Sequence, residues 1–412
     1  MIKVIYDREK QRIPIKLWLD DIEPGAMEQV MNLSNLECAF HHIAIMPDAH
    51  KGYGMPIGGV LAARKAIIPN AVGVDIGCGM CSVKTSLKAK DLNSTNIKEI
   101  LGKIREIVPI GHDHHKVPQD KSLMPGGIRE DIWDCPHIYP VVSKQWDNAL
   151  TQIGTMGGNN HFIELQRDTE DNIWVMIHSG SRNLGKQVAD HYNLIAEQLN
   201  KRWLSNIPYE WELAFLPIES QEAKNYIDEM QYCVDFALNN RMLMMNRIVT
   251  VISSIYPKMS IEPILNIAHN YAVWENHFGE NVVVHRKGAT LARKGMIGII
   301  PGSQGSKSYI VRGLGNPDSF ESCSHGAGRA MGRKEAERTL DLAAEIKKLD
   351  DQGIIHSIRN KEDLAEATGG YKDIDIVMNN QKDLVEILVE LSPIGVIKAP
   401  VNKRKHRNDK SE

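Results

Sequence analysis

Asp75 and Cys78 stand three residues apart in VGVDIGCGM, on a glycine-rich backbone that can wrap a carboxylate and a thiolate around one cation. Cys78 and Cys81 also spell C-x-x-C. No second pair completes a four-cysteine zinc site, and a redox motif belongs at a helix start with few glycines, so Cys81 is expected to be a small buried hydrophobe. A histidine pair adds to the donors. HFIELQ begins at His161, IWVMIH ends at His178, and the turn-like RDTEDN lies between them. With 168–171 as the loop, 165 pairs with 174, 163 with 176 and 161 with 178, and Leu165/Trp174 and Ile163/Met176 become apolar partners. This register brings the two histidine Cβ atoms to about 4.5–5.5 Å, a spacing that suits one metal ion or two adjacent ones. Ordinary hydrogen bonding at the end of a hairpin is the competing role. Carboxylate, thiolate and imidazole together suit Mn, Fe, Co or Zn.

His325 lies in SCSHGAGRAMGRK, where Gly326 and Gly328 permit close backbone approach to a phosphate and Arg329 and Arg333 follow. A helix expected to start there would add N–H groups to the anion site. A histidine in such a cradle can attack phosphorus or simply donate a hydrogen bond to phosphate. IIPGSQGSKS offers a second glycine-serine cradle, and no stretch matches the P-loop pattern. Asp48 and His50 in MPDAHKGYG stand at an expected strand end beside a glycine loop. GHDHH (His112, Asp113, His114, His115) resembles a metal cluster, although adjacent loop residues usually face different ways. His41 and His42 are expected at the surface or core edge.

These residues need elements to position them. Glycines concentrate at 51–59, 72–79, 154–158 and 298–328, and loops so far apart in sequence are expected to converge on one ligand site. β-rich runs at 42–46, 59–68, 162–165, 173–177, 282–285 and 296–300 flank them. From about 187 to 258, Val188, Tyr192, Ile195 and Leu199, then Tyr226, Met230, Cys233 and Ala237, recur at helical spacing and predict an inserted helical layer. Further helices are expected over 333–348 and 373–391, and a last strand over 394–398. Residues 1–398 are expected to close into one domain, followed by a basic, disordered tail, 399–412.

Composition bounds the function classes. The 412 residues are 42% hydrophobic, enough for a substantial core, so disorder is not the main state. Lys and Arg number 49 against 52 Asp and Glu, a net charge of −3 that excludes a histone-like coat and confines any nucleic-acid contact to a local patch. Six scattered cysteines (38, 78, 81, 135, 233, 323) do not make a disulfide scaffold and suit a reducing cytoplasm. The first residues reach charges before a signal-peptide core can form, and no run approaches the length of a membrane span.

PDAHKGYGMPIGG, NAVGVDIGCGM, NHFIEL, HSGSR, AHNYAVWENHFGE, HRKGAT, GIIPGSQGSKSYIVRGLGN, CSHGAGR, YKDID and GVIK follow one another in an order that resembles the RtcB family of GTP-dependent RNA ligases over nearly the whole chain. The resemblance implies an α+β fold, a single catalytic domain with mixed and antiparallel sheets around a dinuclear metal pocket. It implies that Cys78 bridges two Mn2+ ions, with Asp75 and His161 on one and His178 and His269 on the other, and that His325 is the nucleophile toward the α-phosphorus of GTP, the cosubstrate. The guanylate pocket would comprise Asn160, His161, Phe162, Ile163, Glu164, His269, Asn270, Pro301, Gly302, Ser303, Gln304, Ser308, His325, Gly326, Ala327, Gly328, Tyr371 and Lys398, with the lysine reading guanine. Asp48, Arg182, Lys287, Arg329 and Arg333 would handle RNA phosphates or support the metals. The implied reaction joins RNA 3′-phosphate or 2′,3′-cyclic phosphate ends to 5′-OH ends in RNA repair or tRNA-splicing-type sealing, by a cytoplasmic monomer without membrane attachment. The alternative is a metal-dependent phosphohydrolase or cyclic phosphodiesterase that forms no guanylate adduct. The chain departs from the family pattern at Gly158 and Asn159, at Gln304 where Met is frequent, and in its tail, where Lys403, Arg404, Lys405 and Arg407 could hold RNA or simply be solvated.

Overall fold

Short runs of β-branched and aliphatic residues build two large sheets in the computed structural model, which describes residues 1–126 and 139–400. The six-stranded sheet runs in the order Lys3–Ile5, Ile15–Leu17, Ala39–His50, Ile57–Ala63, Glu280–Lys287, Asn270–His277, with one parallel pairing, Ile15–Leu17 to Ala39–His50. The seven-stranded sheet is antiparallel throughout: Leu265–Ala268, Gly79–Lys88, Asn172–Ser179, Phe162–Asp168, Val385–Ile397, Ser308–Gly313, Ile297–Ile300. The fold is therefore α+β. The expected helical layer is present as Arg182–Arg202 and Gln221–Ile255. Val188, Tyr192, Tyr226, Met230 and Cys233 share one core, while Met244, Met245 and Ile248 pack with Val83, Ile163, Val175 and Ile177 on the back of the seven-stranded sheet. Cys81 is fully buried there, as a small hydrophobe. Among the described residues no helix is long and apolar enough to cross a membrane. Cys135 and the tail lysines and arginines 403, 404, 405 and 407 lie outside the described residues.

Four expectations need correction. The histidine hairpin pairs Phe162 with His178, Ile163 with Ile177 and Leu165 with Val175, one residue away from the expected register. Asp168 sets that register: its carboxylate accepts the N–H groups of Glu170 and Asn172 and the side-chain N–H groups of Asn172 and Trp174, closing a three-residue loop with Asp171 at φ 62°. Ile163 and Leu165 thus face one core, and Phe162, Trp174 and Met176 the other. The helix expected over 373–391 is only Ile374–Asn379, because Val385–Ile397 is a strand paired on both sides and shifted in register between Pro393 and Gly395. Its apolar spacing fits either period, and sheet pairing decides. The helix expected over 333–348 is two, Arg333–Thr339 and Leu342–Asp351, the second capped by Asp341, which accepts from the Ala344 N–H. Finally, no helix starts at His325. It follows the strand Ser322–Ser324 in a loop, so any anion cradle there is made of loop backbone.

Candidate active site

The loops at 72–79, 154–158 and 298–328 meet at one end of the strands of the seven-stranded sheet. Cys78 immediately precedes Gly79–Lys88, and its carbonyl accepts the N–H of His269, in the one-residue gap between Leu265–Ala268 and Asn270–His277. His178 lies on Asn172–Ser179 and His161 just ahead of the neighbouring strand Phe162–Asp168, so the corrected register still brings their ring centroids to 5.2 Å. Cys78 Sγ is 3.4 Å from His161 Nε2 and 3.2 Å from His178 Nε2, and His161 Nε2 is 3.2 Å from Asp75 Oδ2. His178 and His269 are 5.2 Å apart between centroids, and His269 and His325 4.8 Å, so the imidazoles form a file from Asp75 to His325.

The charge states of this file are set by burial. It holds His178 and His269 well below the usual histidine range, helped by neighbouring imidazoles, and pushes the Cys78 thiol up, with Asp75 adding to the effect. Burial would also raise Asp75, but the hydrogen bond and charge of His161 outweigh it and the carboxyl lies below its ordinary value. Among the described residues no lysine or arginine hydrogen-bonds these donors, whose lone pairs converge on one another. Cys78, His161 and His178 bring one donor atom each within 4.8 Å of the others, and buried His269 Nδ1 has no hydrogen-bond partner. The donor set fits a borderline divalent ion. Among the described residues GHDHH forms no such group; instead His115 Nε2 faces the Arg247 guanidinium at 3.0 Å.

Asp48 is fully buried at the end of Ala39–His50, and one of its oxygens accepts three N–H groups: His325 Nδ1 at 2.6 Å, the His325 backbone at 3.1 Å and the Gly326 backbone at 3.2 Å. A carboxylate acceptor fixes the proton on Nδ1 and leaves Nε2 with the lone pair. Gly328, at φ +72°, lets the loop close on Asp48, whose carbonyl a Cβ would strike.

His325 opens on two spaces. A cavity of about 130 Å³ is lined by Asn160, Phe162, His178, Pro301 to Gln304, His325 to Arg329, Arg333, Tyr371 and Lys398. His50 lines both this cavity and a groove of about 820 Å³ bordered by Asp75, Cys78, His269, Asn270, Lys287, Arg329 and Arg333. Of the remaining residues proposed for guanylate, Glu164 is buried on the same strand face as Phe162, raised by burial to about 7 and bonded to Gln166, which in turn reaches Ser308. The Ile163 side chain points into the opposite core. Among the described residues Arg182 pairs with no carboxylate; it ties Thr155 Oγ1 and the Gly111 carbonyl together beside His161. Buried Lys287, pushed down to about 7 by desolvation, donates to the carbonyls of Tyr53 and Asn70.

Comparison with known proteins fits this geometry. The family model described as tRNA-splicing ligase RtcB matches residues 29–399. The chain belongs to the RtcB family. An Escherichia coli protein named RNA-splicing ligase RtcB is 37% identical over 404 residues, covering 94% of this chain and 98% of the relative. Proteins named tRNA-splicing ligase RtcB from Pyrobaculum aerophilum and Methanococcus maripaludis are 30% and 31% identical, covering 94% and 95% of this chain and 95% and 96% of theirs.

Sequence reading missed two supports of this RtcB-family site. Asn240 and Arg241 sit in the long helix Gln221–Ile255. Asn240 bonds Gly154, Thr155 and Gly180, and fully buried Arg241 donates to the carbonyls of Gly77 and Ser179, next to Cys78 and His178. Their one visible signal is an Asn-Arg pair inside an otherwise apolar helical stripe. The second is Glu366. Arg333 Nε lies 2.7 Å from its carboxylate, Arg329 and Lys398 lie 3.4 Å away, and the Tyr371 hydroxyl donates to it. Nothing near Glu366 in sequence signals this role.

Proposed function

We propose that this chain is a GTP-dependent RNA ligase that joins a 3′-phosphate or 2′,3′-cyclic phosphate end to a 5′-OH end, with its catalytic unit over 1–398 and its work in cytoplasmic RNA repair or tRNA-splicing-type sealing. The observation that carries the reading is the Asp48 clasp on His325, at one end of the imidazole file and in the wall of a cavity. A histidine held with Nε2 free is placed to attack phosphorus, the step that guanylate transfer requires.

Asp75, Cys78, His161, His178 and His269 would hold manganese, which when bound would neutralise charge on the phosphates and polarise phosphorus. The protein's own residues do the rest. Asp48 holds the Nδ1 proton, so neutral His325 Nε2 attacks the α-phosphorus of GTP; the N–P bond forms and pyrophosphate leaves. A 3′-phosphate oxygen of RNA then attacks the same phosphorus, the N–P bond breaks, and the RNA carries a 3′-terminal pyrophosphate linkage to guanosine. The 5′-OH of the second strand attacks the RNA phosphorus, loses its proton and expels GMP. A cyclic end is hydrolysed to the 3′-phosphate first. Arg329 and Arg333, beside both spaces, would hold RNA phosphates, and Lys398 would read the guanine.

The test supplies protein and Mn2+ with RNA bearing a 3′-phosphate and RNA bearing a 5′-OH, with and without GTP. Joined product that requires GTP is expected. Phosphate release or ring opening that is indifferent to GTP, without joining, would establish the phosphohydrolase instead.

A further inference from the structure

The groove beside the nucleotide cavity runs from Asp75, Cys78 and His325 out to Lys51, Lys334 and Arg338, and Tyr53 lines it with 64% of its surface exposed. An aromatic side chain left in water forgoes roughly 1.5–3 kcal/mol of burial. Its backbone, by contrast, is clamped from three directions. The Tyr53 carbonyl accepts from Lys287 Nζ at 2.6 Å and from the Met55 N–H at 2.7 Å. Preceding Gly52 exchanges two hydrogen bonds with the side chain of buried Gln29, at 2.6 and 3.1 Å. Following Gly54, at φ +64°, donates to Glu212 Oε2 at 3.1 Å and lies so close to the Glu212 carbonyl that a Cβ has no room. Three separate parts of the chain, the helix Pro24–Ser34, the strand Glu280–Lys287 and the loop at Glu212, thus hold one ring out over the groove.

We propose that Tyr53 is a stacking platform for a base of the RNA strand that enters this groove, an inference that rests on the ligase reading above. A ring face receives any base, so the platform would fix a strand without reading its sequence. Lys51, Arg329, Arg333, Lys334 and Arg338 in the same groove supply the charge that tracks a phosphate backbone, against Glu23, Asp75 and Glu335. His325, which the RNA end has to reach, lines the same groove.

Two RNA oligonucleotides test this, one ending in a 3′-phosphate and one beginning with a 5′-OH, each with 2-aminopurine as the terminal base. Both are titrated into the wild type, Tyr53→Ala and Tyr53→Phe, with Mn2+ present. At least one probe should be quenched on binding to the wild type and to Tyr53→Phe. Tyr53→Ala should abolish that quenching and raise the Kd for that strand about tenfold. Equal quenching and affinity in wild type and Tyr53→Ala overturns the proposal, as does a Tyr53→Phe variant that behaves like the alanine. GTP-dependent joining of the same strands by the wild type is followed in parallel. Its absence removes the ligase reading whatever the probes do, whereas joining without any effect of the Tyr53 substitutions removes only the platform.

Discussion

The two ends of the candidate site solve opposite electrostatic problems. Around Cys78 the chain gathers donors: a buried thiol, three buried imidazoles and the part-exposed Asp75 carboxylate, whose lone pairs face one another, leaving His269 Nδ1 without a partner. Around buried Glu366 it gathers cations, and this one carboxylate serves Arg329, the exposed Arg333, Lys398 and the Tyr371 hydroxyl. Among the described residues the first cluster has no lysine or arginine bonded to its donors, which suits a metal ion, whereas the second sets three cations against one carboxylate, an excess of positive charge that suits a phosphate. The two clusters thus suit ligands of opposite charge.

Substitutions should separate the two. Cys78→Ala removes the donor central to the cluster, and metal content measured on the purified protein should fall with at least a thousandfold loss of joining activity. Unchanged metal content would place the ion elsewhere. Asp48→Asn unfixes the His325 tautomer, and the rate of guanylate transfer should drop about a hundredfold while bound metal is retained. Glu366→Gln leaves the metal in place and raises half-saturating GTP about tenfold, because Lys398, Arg333 and Arg329 then repel one another. It also carries a pH signature. Burial would raise Glu366, but the charges of Lys398 and Arg333, the Tyr371 hydrogen bond and Arg329 bring it down to about 2. A carboxyl lowered on folding stabilises the fold above its ordinary pKa near 4.5, and that contribution fades as pH falls toward about 2. The wild type should therefore lose Tm more steeply than Glu366→Gln between pH 5 and pH 3, and parallel curves would show that the cluster adds no stability. The smallest effect belongs to Cys81→Ala, which should cost about 1 kcal/mol of stability and leave metal content intact.

The site was more legible in the sequence than the fold around it. Asp75, Cys78, His161 and His178 announce themselves by donor chemistry on short loops, and the glycine clusters marked the loops that converge on them. The hairpin register shifted by one because Asp168 closes a three-residue loop, a choice that depends on side-chain hydrogen bonds and not on apolar alternation. His161 still reached its neighbours because it stands ahead of the strand Phe162–Asp168, outside the paired register that the slip changes. Residues 385–391 read as the end of a helix because their apolar spacing fits both periods and the strand's partners, Ser308–Gly313 and Phe162–Asp168, are distant in sequence, whereas the strand expected at 394–398 is the end of the same element. Arg241 and Glu366 were invisible for the same reason. Their roles are defined by what they touch: carbonyls 164 and 62 residues away for Arg241, and Lys398, 32 residues away, for Glu366.

The claim that His325 becomes the covalent carrier of GMP is tested most directly by intact-protein mass spectrometry after incubation with GTP and Mn2+. The account predicts a mass increase of one guanylate that is lost in acid, as phosphoramidates are, maps to His325, and is absent from His325→Ala. No adduct on the wild type, or the same adduct on His325→Ala, would contradict it.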